Sequence, residues 1–197
     1  NLQDHLDVCV ISECTGAHSY DKYGKPWWAA LAGLRYLLTK TGPVASSLFE
    51  TGGFWYADKN AAAPDIQFHF GQGSGIEAGI AKLKNAGVTL NSAPMRPRSR
   101  GTARLASGAP AAAPLIDPNF WSDPYDREIS KRAFQMARDI MRQDALKPFV
   151  QAERLPGPDC VSDEDFFNYA CRMAKTDHHP SGACAMGQGK MAVVSPE

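Results

Sequence analysis

Three of the chain's five histidines are placed where an imidazole could transfer a proton. His178 and His179 are adjacent and precede Pro180, and His69 lies in a short apolar run. Histidine has the side chain whose unperturbed pKa lies nearest neutrality, so it can take a proton from an alcohol and later release it. Adjacent residues point in different directions, and the residue before a proline is biased toward extended backbone. We therefore expect one histidine of the pair to enter a site, with the position of His179 the better defined. At each position a structural or solvated histidine is the alternative.

The sequence contains no strong pattern for a metal site or a nucleotide-binding site. His5 and His18 lie in loop-like contexts and are predicted to be solvated or structural. The spacing of the remaining candidate ligands matches no familiar zinc or iron pattern, so no metal site is predicted. The glycines at 71, 73 and 75 do not have the spacing of a dinucleotide-binding turn, so no cofactor-binding residue is predicted either. The candidate metal ligands are His69, Asp177, His178, His179 and Cys184.

A strand over residues 65–70 is the clearest element that would position one of these histidines. Its alternation places Ile66, Phe68 and Phe70 on one face and His69 on the other. Further strands are predicted over 8–11, 54–56, 88–91 and 99–105, and a loop with a helical turn over 71–87. Strands that come in runs, without alternating with helices, indicate an α+β fold with an antiparallel sheet flanked by helices.

Three helices complete the predicted fold. Residues 27–38 are expected to form a short buried helix, and Asp123 followed by Pro124 begins a long amphipathic one. Ser162 caps a third helix that leads toward Thr176. The polar face of the long helix is predicted to be a solvated surface, and it consists of Arg127, Lys131, Arg138 and Arg142.

Composition excludes several classes of partner. Lysine plus arginine equals aspartate plus glutamate at 21 each, so net charge does not favour nucleic acid or an anionic membrane. The longest apolar stretch, 27–38, is too short and too charged to span a bilayer. The five cysteines have no C-x-x-C spacing, which predicts free thiols in a reducing cytoplasm. We expect a small-molecule ligand and one domain over residues 1–197.

Five segments, taken together and in order, resemble the glucose-methanol-choline (GMC) oxidoreductases, with choline and aliphatic alcohol dehydrogenases as the most similar branch. The resemblance spans the chain. The segments are N-L-Q-D-H-L (1–6), F-E-T-G-G-F (49–54), P-D-I-Q-F-H-F (64–70), R-P-R-S-R-G-T (96–102) and H-P-S-G (179–182).

The resemblance implies a specific chemistry. His179 would be the active-site base of an FAD-dependent alcohol dehydrogenase, and His69 and Asp7 would contact the alcohol. Asp7 occupies the place where choline-binding relatives carry a carboxylate facing the trimethylammonium group. Trp27, Trp28, Trp55 and Tyr56 would be core residues or, alternatively, an aromatic wall for such a cation.

The resemblance also implies what the chain does not carry. Residues 1–197 would be the substrate-binding domain without the FAD-binding Rossmann-like domain, so FAD is expected in the parent protein and not on this fragment, which would be inactive. A second active-site residue would follow Glu197. The face toward the flavin domain would then be exposed and apolar, a site for self-association. A non-catalytic binding or interaction domain with the same fold is the alternative function.

Overall fold

A nine-residue strand, β1 (Leu6–Cys14), lies between two others in the larger of two antiparallel sheets. The computed structural model describes residues 1–75, 82–190 and 192–197. Within them the strand order is β2-β3-β4-β1-β7, with β8 also paired to β1, and β5 pairs β6 in the second sheet. The bounds are β2 (Thr51–Trp55), β3 (Ile66–Gly71), β4 (Gly87–Pro94), β5 (Thr102–Arg104), β6 (Leu115–Asp117), β7 (Val150–Leu155) and β8 (Lys175–Thr176).

Three α-helices accompany the sheets: α1 (Pro26–Thr39), α2 (Pro124–Met141) and α3 (Asp163–Met173). The predicted α+β fold with an antiparallel sheet is therefore confirmed. The predicted strand at 99–105 is shorter than expected. The helical turn predicted within 71–87 falls on residues 76–81, outside the described residues.

The larger sheet has one apolar and one polar face. Ile66 and Phe68 join Val8 and Val10 in the hydrophobic core, which α2 and α3 cover. On the other face, Cα pairing places His69 opposite Asn91 and Asn91 opposite Cys9. Directly opposed residues share a face of the sheet, so His69, Asn91 and Cys9 form a row across three strands. The predicted separation of His69 from the apolar residues of β3 is confirmed.

Helices α2 and α3 begin at the predicted caps. The Asp123 carboxylate accepts a hydrogen bond from the Tyr125 backbone N–H at 2.8 Å. Ser162 and Asp165 form a reciprocal capping box, and these hydrogen bonds lower the pKa of the Asp165 carboxyl. Tyr169 of α3 reaches back to β1 and donates to the Cys9 carbonyl at 2.8 Å. Burial raises the pKa of the Tyr169 phenol, so the hydroxyl remains a donor.

Residues 27–38 form the predicted helix, but the prediction that this helix is buried is wrong. Helix α1 exists, but only Ala32 is buried along it. The prediction of a core position fails for all four aromatic residues, since Trp27 is 70% exposed and Trp55 is 61% exposed, with Trp28 and Tyr56 also exposed. No described element covers the outer side of this helix. Self-association was predicted for the face that would meet a flavin domain, and this remains a prediction.

The polar face of α2 is only partly a solvated surface, as Arg138 shows. Its side chain is 12% exposed and pairs with Glu153 of β7 at 2.8 Å. It also donates to the Cys160 carbonyl at 2.6 Å, because the chain after β7 folds back over this end of the helix. Lys131 similarly lies between Glu128 and Asp163.

All five cysteines lie in the described residues and none forms a disulfide. Burial raises the pKa of the Cys14 and Cys160 thiols, which keeps them protonated. Among the helices that the structure describes, none combines the length and apolar character that crossing a bilayer requires.

Asp126 fixes the segment that leads from β4 to β5. Its carboxylate is buried in α2 and accepts the backbone N–H groups of Arg98 and Ser99, each at 2.7 Å. Gly101 follows, where an added Cβ would lie 2.1 Å from the Asp117 carbonyl oxygen. The R-P-R-S-R-G-T segment is therefore held by one carboxylate and by a backbone approach that only glycine permits.

We predict that Asp126→Asn destabilises the protein by about 1–3 kcal/mol, since an amide cannot accept both N–H groups and leaves a buried donor unsatisfied. The measurement is the free energy of unfolding by chemical denaturation. Asp144→Asn is the matched control because that side chain is 92% exposed. Equal stability of the two variants would contradict this role for Asp126.

Candidate active site

The Asp4 carboxylate joins the segment before β1 to the segment that follows β8. One of its oxygens accepts the backbone N–H groups of His5 at 2.9 Å and of His179 at 3.0 Å. The other oxygen accepts the Thr176 hydroxyl. Three donors on one carboxylate therefore hold the loop that carries His179 against the segment that begins β1.

The backbone around His179 is fixed by a second set of contacts. Gln3 and Ser181 exchange two backbone hydrogen bonds, at 2.9 and 2.8 Å. Gly182 has a φ of +76°, and a Cβ there would lie 2.3 Å from the Asn1 carbonyl oxygen. The glycine of H-P-S-G is thus required by both conformation and space. The N-L-Q-D-H and H-P-S-G segments are direct neighbours.

The His179 ring faces the ring of His5. Their Nδ1 atoms are 3.2 Å apart, and the ring planes are nearly perpendicular. His5 Nε2 lies 3.0 Å from the Met95 carbonyl oxygen at the end of β4. The prediction that His5 is solvated or structural misses this contact with the candidate base, although the residue belongs to the N-L-Q-D-H motif.

A second group of polar side chains lies on the polar face of the sheet. Asp7, His69 and Asp177 each offer one ligand atom, and these atoms lie within 4.8 Å of one another. Asp177 belongs equally to a group with His5 and His179. The three predicted site residues, Asp7, His69 and His179, are therefore brought into one cluster by Asp177.

The cluster borders an open cleft of about 430 Å³. His179 is exposed at this cleft, while His69 is half-buried in its wall. Asp7 is 3% exposed and lies behind the lining, where its carboxylate accepts the Ser92 backbone N–H at 3.2 Å. The lining residues are Phe49, His69, Asn91, Lys175, Thr176, Asp177, His178 and His179.

Two carboxylates lie close together here: Asp177 lines the cleft, and Asp7 lies behind the lining. One oxygen of Asp177 is buried and has no hydrogen-bond partner among the described residues. A buried charged oxygen without a donor is costly unless a ligand or cation completes it. Lys175 lines the same cleft and supplies one positive charge against the two carboxylates. The cleft is thus suited to a small polar molecule with a cationic group.

The metal alternative gains two groups of three candidate ligands, each of which could hold a metal ion. Asp177 belongs to one group with His69 and to the other with His179, and both histidines are candidate ligands from the sequence. Within residues 1–75, 82–190 and 192–197, Cys184 and His178 join neither three-residue group. The two groups share a carboxylate and open onto a cleft, an arrangement equally suited to an organic ligand.

The four predicted aromatic candidates are not part of the site. Trp27, Trp28, Trp55 and Tyr56 do not line the cleft, and its aromatic side chain is Phe49, whose ring centroid is 6.3 Å from that of His69. Sequence reasoning also missed Asp4, His5 and Asn91 as site residues. Asp4 and His5 are within a quoted motif, which was the available signal, whereas Asn91 becomes visible only through strand pairing.

Solved structures with the same fold include several oxidases. The chain superposes on pyridoxine 4-oxidase from Mesorbium loti with a TM-score of 0.77 and 25% identity, covering 100% of this chain and 35% of that one. It superposes on a variant of formate oxidase from Aspergillus oryzae with a TM-score of 0.84 and 21% identity, covering 93% and 37%.

A family model described as GMC oxidoreductase matches residues 97–197. The chain therefore belongs to the GMC oxidoreductase family. It is 35% identical over 199 residues to human mitochondrial choline dehydrogenase, and 36% identical over 197 residues to the oxygen-dependent choline dehydrogenase of Burkholderia ambifaria. Each match covers 100% of this chain but 34% and 35% of the relative, so the chain spans about a third of their length.

We predict that Asp4→Ala frees the His179 loop, since three donors lose their shared acceptor. The amides of His5 and His179 should then exchange with solvent faster by roughly 10-fold or more, in line with about 1–3 kcal/mol for hydrogen bonds to a charged group. Hydrogen exchange of these amides is the measurement. Asp4→Asn, which keeps one carbonyl oxygen, should exchange more slowly than Asp4→Ala, and unchanged exchange in the alanine variant would refute the cross-link.

Proposed function

We propose that this chain is the substrate-binding domain, over residues 1–197, of an FAD-dependent alcohol dehydrogenase that oxidises choline or an aliphatic primary alcohol to the aldehyde. The observation that carries this proposal is the position of His179, whose ring lies exposed at a cleft with His69 and Asp177 in the wall. Membership of an oxidoreductase family supports it. The relatives named as choline dehydrogenases supply the substrate class.

His179 acts as the base in this proposal. The hydroxyl proton passes to an imidazole nitrogen of His179, which gives the alcohol alkoxide character and weakens the neighbouring C–H bond. The hydrogen on that carbon then leaves as a hydride and the carbonyl forms, so the alcohol loses two protons and two electrons in total. His69, on the wall of the same cleft, contacts the substrate and helps to orient it.

FAD, when bound, supplies the acceptor for that hydride. The open side of the cleft beside His179 and the buried Asp177 oxygen without a donor fit a site completed by further groups. Similar structures include an FAD-dependent oxidoreductase from Chaetomium thermophilum and a formate oxidase in which FAD modification is described. We place the FAD-binding unit in the part of the relatives that this chain does not span. The chain alone would then bind no FAD and have no activity.

Negative charge favours choline over an uncharged alcohol. Asp7 and Asp177 lie within reach of one another, and only Lys175 among the lining residues opposes them. A trimethylammonium group donates no hydrogen bond but relieves the repulsion between two nearby carboxylates. Phe49 offers an aromatic ring at the same wall, where a cation–π contact contributes about 0.5–2 kcal/mol.

A cytoplasmic location is proposed on the cysteines alone. None of the five forms a disulfide, and three of them are buried. Disulfides are rare where the surroundings are reducing. The name of the human relative places that protein in mitochondria.

In the full-length flavoprotein, His179→Ala should lower the rate constant for flavin reduction by roughly 10²–10⁴, since it removes the proton acceptor while leaving FAD bound. Anaerobic rapid mixing with choline, followed by flavin absorbance, measures this. Full-length protein that purifies without a flavin absorbance band would instead favour a non-catalytic binding domain. An unchanged rate constant would remove His179 from the mechanism.

Asp7→Asn tests the cation site. The substitution keeps the acceptor for the Ser92 N–H but removes one charge, and a unit charge within about 8 Å contributes roughly 2 kcal/mol at an effective dielectric constant near 20. The KM for choline should rise roughly 30-fold, the factor that corresponds to about 2 kcal/mol, while the KM for an aliphatic alcohol should not rise. Asp144→Asn provides the surface control. A KM that changes equally for both alcohols would exclude recognition of the cation by Asp7.

A further inference from the structure

His5 and His179 form a hydrogen-bonded pair in which only one arrangement of protons satisfies all the contacts of the neutral rings. From it we infer that His5 is a positioning residue that sets the tautomer of His179 and leaves Nε2 as the nitrogen that takes the substrate proton. The inference rests on the function proposed above, since it assigns the accepting atom of the base.

The Met95 carbonyl determines which nitrogen of His5 carries the hydrogen. His5 Nε2 lies 3.0 Å from this oxygen, and a carbonyl oxygen can only accept a hydrogen bond. His5 Nε2 therefore carries the hydrogen. In a neutral imidazole the other nitrogen then has a lone pair, so His5 Nδ1 is an acceptor.

His179 must supply the donor for that acceptor. The two Nδ1 atoms are 3.2 Å apart, and a hydrogen bond between them needs one hydrogen. Because His5 Nδ1 holds a lone pair, the hydrogen belongs to His179 Nδ1. The nitrogen that remains unprotonated in His179 is Nε2, in accordance with the rule that the bond made by one ring nitrogen determines the state of the other.

The backbone keeps the two rings in this relation. The N–H groups of His5 and His179 bond to the same oxygen of Asp4, so neither residue shifts without the other. Met95 is held in turn by its own N–H, which donates to the Asp65 carbonyl at 2.8 Å. His5 is half-buried while His179 is exposed at the cleft, so the ring that sets the tautomer is sheltered and the ring that reacts is accessible.

The pair remains satisfied when the reaction begins. The hydroxyl proton of the alcohol goes to His179 Nε2, and the Nδ1–H bond to His5 becomes a charge-assisted hydrogen bond. The Asp177 carboxylate, which belongs to the same three-residue group, stabilises the resulting imidazolium. No proton has to leave His5 during this step.

Two substitutions at position 5 separate tautomer control from simple packing. His5→Leu fills the space without an acceptor, whereas the Oδ1 of His5→Asn can accept from His179 Nδ1. In flavin-loaded full-length protein, His5→Leu should lower the limiting rate constant for flavin reduction by choline roughly 10–100-fold, by analogy with the loss of the hydrogen-bond partner of a metal-binding histidine. His5→Asn should keep most of that rate constant. His18→Leu is the matched control, because His18 packs against Phe149 away from the cleft.

A spectroscopic measurement tests the tautomer directly. ¹⁵N spectra of histidine-labelled wild-type protein should show His179 protonated at Nδ1 and unprotonated at Nε2, with the signals assigned by their loss in His179→Ala. His5→Leu should shift His179 toward the Nε2–H form. If His5→Leu does not fold, the wild-type spectrum still shows which tautomer His179 adopts.

Three results would overturn the inference: an Nε2–H tautomer of His179 in the wild type, an unchanged rate in His5→Leu, or a loss in His5→Asn as large as in His5→Leu. The two proposals fail in different ways. If His179→Ala leaves flavin reduction unchanged, the proposed function itself is wrong. If His179→Ala slows reduction and the position 5 variants do not, only the tautomer assignment is wrong.

Discussion

The hydrogen bonds of the Asp4 carboxylate are the interaction on which the candidate site depends. They connect residues 175 positions apart in the chain and set where His179 stands relative to β1. A carboxylate with several donors is among the stronger hydrogen-bonding arrangements in proteins, since its charge strengthens each bond. Thr176 uses its hydroxyl twice, as donor to Asp4 and as acceptor for the His178 N–H at 3.0 Å. The turn before His179 is therefore defined by side-chain hydrogen bonds, and Pro180 restricts the backbone of His179 itself.

The larger sheet explains why a polar site can lie beside a hydrophobic core. Its apolar face is covered by α2 and α3, which leaves the other face available for polar groups from β1, β3 and β4. Asp7 and Asp177 lie close together there, so two carboxylates of like charge are neighbours on this face. A bound cation relieves this repulsion, so the electrostatics and the proposed substrate agree.

The apolar side chains on α1 are mostly exposed, whereas those on β3 pack in the core. Both segments are rich in hydrophobic residues, but β3 lies inside the sheet. Helix α1 instead packs mainly beside two short 3₁₀ helices, Tyr20–Gly24 and Pro43–Ala45, and its Leu37 and Leu38 are exposed. An exposed apolar helix of this kind indicates a surface that another element covers. Relatives about three times as long as this chain are consistent with such an element.

The sequence by itself determined the local features. Alternation predicted the strand that carries His69, and the caps at Asp123 and Ser162 predicted two helix starts. Five motifs identified the family and made His179 the candidate base. These signals are local because a strand period or a helix cap depends on neighbours along the chain. Tertiary structure alone decided which side chains meet: the His5 contact with His179, the place of Asp177 between two groups, the pairing of Asn91 with His69, and the burial of Arg138. Each of these depends on strand register or on packing between distant segments, and no pattern along a single segment encodes either of them.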